Sequence, residues 1–150
     1  MLLPLPPLIA AAGGLAQWRG LRGRPATTAS AVAGGAVGLA SAAWIGAALV
    51  ALWRGGTTVD AAVPDATSAL ITTGPYSWSR HPVYLGIVGL LAVHPVVRRC
   101  PPSAVVPVVA WVVLDRVQVA REERVLTALF GPAVVAYQST VRRWFGRRAG

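Results

Sequence analysis

Residues 25–53 read PATTASAVAGGAVGLASAAWIGAALVALW, an uncharged run of 29 residues with an arginine at each end. A bilayer core needs only about 20 consecutive apolar residues in a helix, so this run is long enough to cross one. Small residues recur at every fourth position from Gly34 to Gly46, a spacing that allows membrane helices to pack closely. The run therefore predicts a transmembrane helix over about residues 30–53.

The composition of the whole chain also indicates a membrane protein. Hydrophobic residues make up 55% of the 150 residues before the 16 glycines are counted, and charged residues make up 13%. A soluble domain carries about 25% charged residues, so a water-soluble fold is excluded. The high hydrophobicity also excludes intrinsic disorder. The single cysteine, Cys100, excludes a disulfide scaffold.

The net charge of +9 comes from 14 arginines against five carboxylates. The arginines lie at the margins of apolar runs, so we expect anionic lipid head groups as partners and no nucleic acid. Two histidines and one cysteine are too few for a structural zinc site, and we expect no metal. The sequence therefore indicates a protein whose basic residues face lipid.

Three other apolar segments flank the central run. Residues 1–18 are uncharged but rich in proline and glycine, which makes a poor start to a helix. A membrane span and a signal peptide are the two alternatives for this segment, although the basic n-region of a signal peptide is missing. Residues 81–97 predict a short or tilted span that begins at Pro82 and stops near His94–Pro95. A last span is expected over residues 103–114.

The C-terminal region continues the helical pattern. The last span extends past Leu114 as a charged helix, and Gly131–Pro132 then breaks the chain and begins a final helix. Apolar residues fall on one face of that helix as far as Phe145, so we expect it to lie in the membrane interface with its arginines on lipid phosphates. The side of the membrane that holds residues 54–80 and the tail has more arginines than the other side. This excess of positive charge places that side in the cytoplasm.

Ionisable and aromatic residues gather at one membrane edge. They are Tyr76, Arg80, His81 and Tyr84 at the start of the third span, and Asp115, Arg116, Glu122 and Glu123 after the fourth. A tight hairpin brings these two groups together, and seven-residue spacings place Asp115 with Glu122 and Arg116 with Glu123 on common helix faces. Ionisable residues at membrane depth indicate a functional site. Ion pairs that only anchor the hairpin remain the alternative.

These residues resemble a known family. GPYSWSRHPVYLG at 74–86 is followed by EE at 122–123, FG at 130–131 and VRRW at 141–144. This order is similar to the isoprenylcysteine carboxyl methyltransferase and phospholipid methyltransferase superfamily of integral-membrane enzymes, over roughly residues 55–145. Two positions depart from the family pattern: Val134 stands where tyrosine is common, and Arg142 where proline is common.

The arginine-bounded apolar runs and the amphipathic tail predict an all-α polytopic membrane protein with four transmembrane helices and a C-terminal interfacial amphipathic helix. Residues 1–53 would form the N-terminal helices and residues 54–150 the catalytic core. S-adenosylmethionine is the implied cofactor, with the loop at 54–80 as the roof of its pocket. The resemblance assigns catalysis to Arg80, Glu122 and Glu123. The implied cofactor-binding residues are Tyr76, Arg80, His81, Pro82, Tyr84, Gly86, Glu122 and Glu123.

The implied acceptor is lipophilic or prenylated, and an isoprenylcysteine-like or other lipid carboxylate is favoured. Phospholipid N-methylation is the first alternative. A sterol-type membrane reductase that uses NADPH and a non-catalytic protein that binds lipid are the others. We expect the bacterial inner membrane as the location, with the active site on the cytoplasmic side.

Overall fold

The computed structural model describes residues 5–21, 23–56 and 69–148. Over these ranges the chain is helical, with no strand and one isolated antiparallel bridge between Val141 and Arg147. The predicted all-α class is therefore confirmed. The α-helices are α1 (Leu5–Gly20), α2 (Thr28–Arg54), α3 (Pro82–Val97), α4 (Val105–Val113), α5 (Ala120–Phe130) and α6 (Pro132–Thr140).

Two helical segments are long and apolar enough to cross a membrane. They are α2 and the continuous helical stretch Pro101–Phe130, which contains α4 and α5. Only 6% of the apolar window of α2 is buried inside the protein, so α2 is unlike the core helix of a soluble domain. The prediction of a span over residues 30–53 agrees with α2. Because α1 and α3 are shorter, with 16 residues each, the arrangement of four spans stays a prediction.

Helix α3 packs against α1, α2 and α4, and its contact with α2 is made through glycines. A side chain at Gly34 would collide with Val97, and one at Gly38 would touch Val93. Close approach without a Cβ is what the small-residue spacing predicts. At Gly46, the end of that series, a Cβ would meet nothing within 4 Å; in this part of α2 the close contact is made instead at Ile45, against Gly86 of α3.

The first helix begins despite its prolines. Pro6 and Pro7 lie in the first turn of α1, where a missing backbone N–H leaves no intrahelical bond unmade. The helix then runs through Gly13 and Gly14 to Gly20. The expectation of a poor helix is therefore wrong from Leu5 onward, whereas residues 1–4 lie outside the described residues.

Helix α3 continues past the predicted stop at His94–Pro95 and ends at Val97. Pro95 lacks the N–H that would bond to the carbonyl of Leu91, four residues earlier. The side-chain amide of Gln17, from α1, donates to that carbonyl at 2.9 Å. The hydrogen bond lost to proline is thus replaced from another helix, and α3 does not need to end.

The same amide serves a second carbonyl. Nε2 of Gln17 donates to the carbonyl of Ser103 at 3.3 Å, and Pro107, four residues after Ser103, has no N–H to offer it. Gln17 is only 3% exposed. One buried amide therefore pairs two carbonyls that prolines leave free, and it joins α1 to both α3 and the start of α4.

The stretch Pro101–Phe130 is not a uniform α-helix. It opens with a 3₁₀ turn at Pro101–Ala104, and a π-helical turn at Leu114–Val119 lies between α4 and α5. A π turn takes about one more residue than an α turn, so Asp115 aligns with Glu123 instead of Glu122. Arg116 is 81% exposed whereas the Glu123 side chain is mostly buried. The predicted shared face of Arg116 and Glu123 is therefore wrong, because an even α-helical period was assumed, whereas the side chains of Asp115 and Glu122 are both mostly buried.

The final helix is shorter than predicted. Helix α6 ends at Thr140, and residues 141–147 form a tight hairpin in which Arg142 N–H donates to the carbonyl of Gly146. Gly146 has φ +100°, which suits glycine. Its N–H donates to the carbonyl of Trp78 at 2.7 Å. The predicted interfacial helix through Phe145 is therefore wrong beyond Thr140, because backbone bonds to a distant segment replace helical ones. We call residues 141–147 the C-terminal hairpin.

The predicted roof of the cofactor pocket falls largely on residues 57–68, which lie outside the described residues. Its described end contains a 3₁₀ turn at Gly74–Ser77. Gly74 has φ +61°, a conformation that favours glycine. This turn leads the chain directly into Arg80 and α3.

We predict that Gln17→Leu destabilises the protein by about 1–3 kcal/mol, because two buried carbonyls lose their donor. Pro95→Ala restores a backbone N–H for the carbonyl of Leu91, so Gln17→Leu should cost less in that background. Thermal unfolding of the four proteins in detergent measures the coupling. Gln138→Leu, on the half-buried part of α6, is the matched control. An equal cost of Gln17→Leu in both backgrounds would contradict the proline account.

Candidate active site

The segment before α3 is fixed against the C-terminal part of the chain. The hydroxyl of Tyr137 on α6 donates to the carbonyl of Tyr76 at 2.6 Å, and Arg80 N–H donates to the carbonyl of Arg142 at 3.3 Å. Burial raises the pKa of the Tyr137 hydroxyl, so the hydroxyl keeps its proton and remains a donor. These backbone contacts hold Arg80 and His81 at a defined position beside the hairpin.

Glu123 on α5 receives three cationic side chains. Nη1 of Arg80 lies 2.9 Å from its Oε1, and Nη2 of Arg143 lies 2.6 Å from its Oε2. Nε2 of His81 lies 3.4 Å from Oε1. Charge-assisted hydrogen bonds of this kind are the strong ones. One carboxylate therefore joins the start of α3, α5 and the C-terminal hairpin.

Arg143 connects Glu123 to a second carboxylate. Its Nη1 donates to Oδ1 of Asp115 at 3.2 Å. The indole of Trp144 donates to the same oxygen at 2.9 Å, and its ring lies against Trp111 of α4, with ring centroids 5.8 Å apart. Arg143 and Trp144 therefore attach the hairpin to Asp115, near the start of the π turn, and to Glu123, beyond its end.

His81 lies between the two glutamates. Its Nδ1 lies 3.5 Å from Oε2 of Glu122, while its Nε2 faces Glu123. Burial alone would lower the pKa of His81, but the two neighbouring carboxylates outweigh burial and raise it above its ordinary value of 6.5. The two carboxylates therefore favour the protonated imidazole, although Oε2 of Glu122 lies too far from Nδ1 for a hydrogen bond. The Tyr84 ring stacks on it at 5.7 Å.

The buried and half-exposed charges of the cluster are paired with one another, and the exposed Arg116 adds a further cation, with its Nε 3.2 Å from Oδ2 of Asp115. The paired members are Arg80, His81 and Arg143 on the positive side, and Asp115, Glu122 and Glu123 on the negative side. Removing charged groups from water is costly unless each is paired, and this pairing explains how six charged groups lie together at the end of an apolar bundle. Arg143 is the most exposed cation of the three, at 36%.

Two buried atoms of the cluster lack a hydrogen-bond partner among the described residues: Nε of Arg80 and Oε2 of Glu122. The 3.5 Å separation from His81 is too long to satisfy the glutamate oxygen. One orphan is a donor on a cation and the other is an acceptor on an anion. Buried unsatisfied groups are rare, and this pair suits a ligand that carries both an ammonium and a carboxylate group.

The structure brings together the core of the predicted site. Arg80, His81, Glu122 and Glu123 meet as expected from the hairpin, and Tyr84 adjoins them through His81. The other predicted residues have structural surroundings of their own, and their part in cofactor binding stays a prediction.

Three of those other residues are Tyr76, Pro82 and Gly86. Tyr76 accepts a bond from Tyr137 through its backbone, and Pro82 is fully buried at the start of α3. A Cβ at Gly86 would collide with Ile45 of α2. The close approach that this glycine allows is therefore to α2, in the packing of the bundle.

Sequence reasoning assigned Arg143 to lipid phosphates, because it was placed on a long interfacial helix. The structure instead pairs Arg143 with Asp115 and Glu123. Trp144 was likewise expected to be an apolar residue of that helix, but its indole bonds to Asp115. The VRRW motif at 141–144, which is part of the family resemblance, was the available signal for both.

Comparison with known proteins identifies the family. The family model described as Isoprenylcysteine carboxyl methyltransferase (ICMT) family matches residues 41–128, which is more than half of the chain and includes α3, α4 and both glutamates of the cluster. The C-terminal hairpin lies outside this match. No curated protein matches the chain. The chain belongs to the isoprenylcysteine carboxyl methyltransferase family, which assigns it to the membrane methyltransferases.

Proposed function

We propose that this protein uses S-adenosylmethionine to methylate the carboxylate of a lipophilic acceptor. The observation that carries the proposal is the pair of orphaned atoms in the buried charge cluster, Nε of Arg80 and Oε2 of Glu122. They are complementary to the carboxylate and ammonium of an amino acid. The family membership supports methyl transfer as the reaction.

The chain's own residues account for binding of the amino-acid end. Nε of Arg80 lacks a partner among the described residues and can donate to a carboxylate, and such charge-assisted contacts are strong and orient their ligand. Glu122 accepts from the ammonium. The bound cofactor would supply a methyl group on a sulfonium cation, which transfers by in-line displacement. Catalysis by the protein then consists largely of orienting the two reactants.

Once Glu122 binds the cofactor ammonium, as proposed here, every carboxylate of the cluster is paired. Asp115 and Glu123 already accept from cations. The carboxylates of Glu122 and Glu123 raise the pKa of His81 above its ordinary value and so favour its protonated form. An amine or phenol acceptor must lose a proton in the reaction, whereas a carboxylate is already ionised. The paired state of these groups therefore favours a carboxylate acceptor over phospholipid N-methylation.

Arg143 is the residue best placed to orient that acceptor. It is the most exposed of the three cations, and its hairpin is bonded to the segment that immediately precedes α3. Two exposed aromatic rings, Trp78 and Phe145, stack on each other at the same hairpin, with centroids 6.0 Å apart. Aromatic residues of this kind are frequent at membrane interfaces. An amphiphile with its carboxylate at Arg143 and its chain in lipid fits these surroundings.

We predict that Arg80→Gln and Glu122→Gln each weaken binding of S-adenosylhomocysteine by about 10- to 100-fold, the effect of losing one hydrogen bond to a charged group. Calorimetry on the purified protein measures the affinity. Arg121→Gln, an exposed neighbour of Glu122 on α5, is the matched control and should bind as the wild type does. Thermal unfolding checks that each variant is folded.

Two results would contradict this assignment. The first is an absence of heat from the wild type with S-adenosylhomocysteine up to about millimolar concentration, the weak end of ordinary affinities. The second is equal affinity in folded Arg80→Gln, Glu122→Gln and Arg121→Gln proteins. That result would leave the orphaned atoms without a role in binding.

The acceptor class is tested by the chemistry of the product. The wild type is incubated with methyl-labelled S-adenosylmethionine and a total lipid extract, and the labelled lipid is treated with base. We expect base to release the label as methanol, because a methyl ester hydrolyses. Label that stays in the lipid fraction would show N-methylation instead, and label confined to the aqueous phase would exclude a lipid acceptor.

A further inference from the structure

A second candidate site lies at the opposite end of α3 from the charge cluster. It is a cavity of about 470 Å³ between α1 and α3, within the range of roughly 300–1,000 Å³ that is usual for small-molecule sites. Its walls are mostly apolar and include Ala10, Gly14 and Leu91. Trp18 and Arg98 also line it, near the ends of α1 and α3.

The polar side chains of the cavity are nearly all engaged. The Gln17 amide donates to two carbonyls, and Nδ1 of His94 lies 3.1 Å from the hydroxyl of Ser103. The Arg98 guanidinium, in contrast, forms no ion pair or side-chain hydrogen bond within the part of the chain that the structure describes. Arg98 therefore determines which polar group of a ligand this cavity favours.

The charge at this end of the bundle is uncompensated among the described residues. Arg99 follows Arg98 and donates to the carbonyl of Pro25, and Arg19 follows Trp18 on α1. The described carboxylates, Asp115, Glu122 and Glu123, belong to the cluster at the other end of α3, which is about 24 Å long at 1.5 Å per residue. Arg98 is too far from these carboxylates to form an ion pair with them, so a ligand that binds Arg98 should be an anion.

We propose that this cavity binds an anionic phospholipid, with one acyl chain between α1 and α3 and the phosphate on Arg98. The apolar walls require a hydrocarbon chain, which a free phosphate ion does not have. Trp18 is 88% exposed and lies at the mouth, where an aromatic ring suits the membrane interface. The site is independent of the methyltransferase assignment, because it shares no residue with the charge cluster.

The test compares lipids in mixed detergent micelles. Thermal unfolding of the full chain is followed while dioleoyl-phosphatidylglycerol, dioleoyl-phosphatidylcholine or glycerol phosphate is added, since a ligand stabilises the state that it binds. We expect phosphatidylglycerol to bind at least about tenfold more tightly than phosphatidylcholine, because one hydrogen bond between charged groups contributes an affinity gain of that size. Glycerol phosphate alone should give no shift. Equal effects of the two lipids would overturn the proposal, as would full stabilisation by glycerol phosphate.

Two variants locate the lipid. Gly14→Leu adds a side chain that meets no other atom within 4 Å at its Cβ, so it fills the cavity without a backbone clash, and lipid stabilisation should be lost. Gly35→Leu is the matched control, because Gly35 is equally open but exposed on α2. If Gly14→Leu does not fold, Ala10→Leu fills the same cavity. Stabilisation that persists in the folded filled variant would overturn the proposal.

Arg98→Ala tests the head group. This variant should bind phosphatidylglycerol and phosphatidylcholine alike, whereas Arg121→Ala, at an exposed position on α5, should keep the preference. A preference that survives in Arg98→Ala would show that the anion is recognised elsewhere and would overturn the assignment of the phosphate to Arg98.

Discussion

The carboxylate of Glu123 is the group on which the arrangement of the active site depends. It receives Arg80 from the start of α3, His81 from the next residue, and Arg143 from the C-terminal hairpin. These segments are far apart in the sequence and share no continuous helix. Breaking a buried ion pair by removing one partner typically costs about 3–5 kcal/mol, because the other charge stays buried. The position of the hairpin and that of the α3 start are therefore linked through one side chain.

The π turn at Leu114–Val119 is what makes this linkage geometrically possible. It shifts the helical register so that Asp115 and Glu123, eight residues apart, both reach Arg143. In an unbroken α-helix, residues seven apart would share that face. Single π turns are frequent at functional sites. Here the turn allows two carboxylates of one long helix to bind the same guanidinium, that of Arg143.

Much of this organisation could be predicted from the sequence. The 29-residue uncharged run predicted α2, and the order of Arg80–His81 and Glu122–Glu123 around a tight hairpin predicted that they meet. Both inferences use local patterns: hydrophobic length in one case, and the antiparallel return of the chain in the other. The family resemblance rested on the same two motifs together with FG at 130–131 and VRRW at 141–144, and the match over residues 41–128 agrees with it.

The remainder depended on contacts that no local pattern contains. Gln17 allows α3 to continue through Pro95 by donating to the carbonyl of Leu91, 74 residues away in the chain, and this contact cannot be read from the sequence around the proline. Helix α6 ends at Thr140 because the hairpin bonds to Trp78 and Arg80, although the apolar spacing through Phe145 continued the helical period. In each case tertiary hydrogen bonds outweighed a local propensity.

Hydrogen exchange by mass spectrometry on the wild type and on Glu123→Gln tests the linkage most directly. The account predicts that the substitution raises exchange together at residues 78–81 and at residues 141–147, where Arg80 N–H and Gly146 N–H make their cross-segment bonds. The interface of α2 and α3 should keep its protection, since it is packed through glycines. An increase confined to α5, or no change in either segment, would show that Glu123 does not hold the site together.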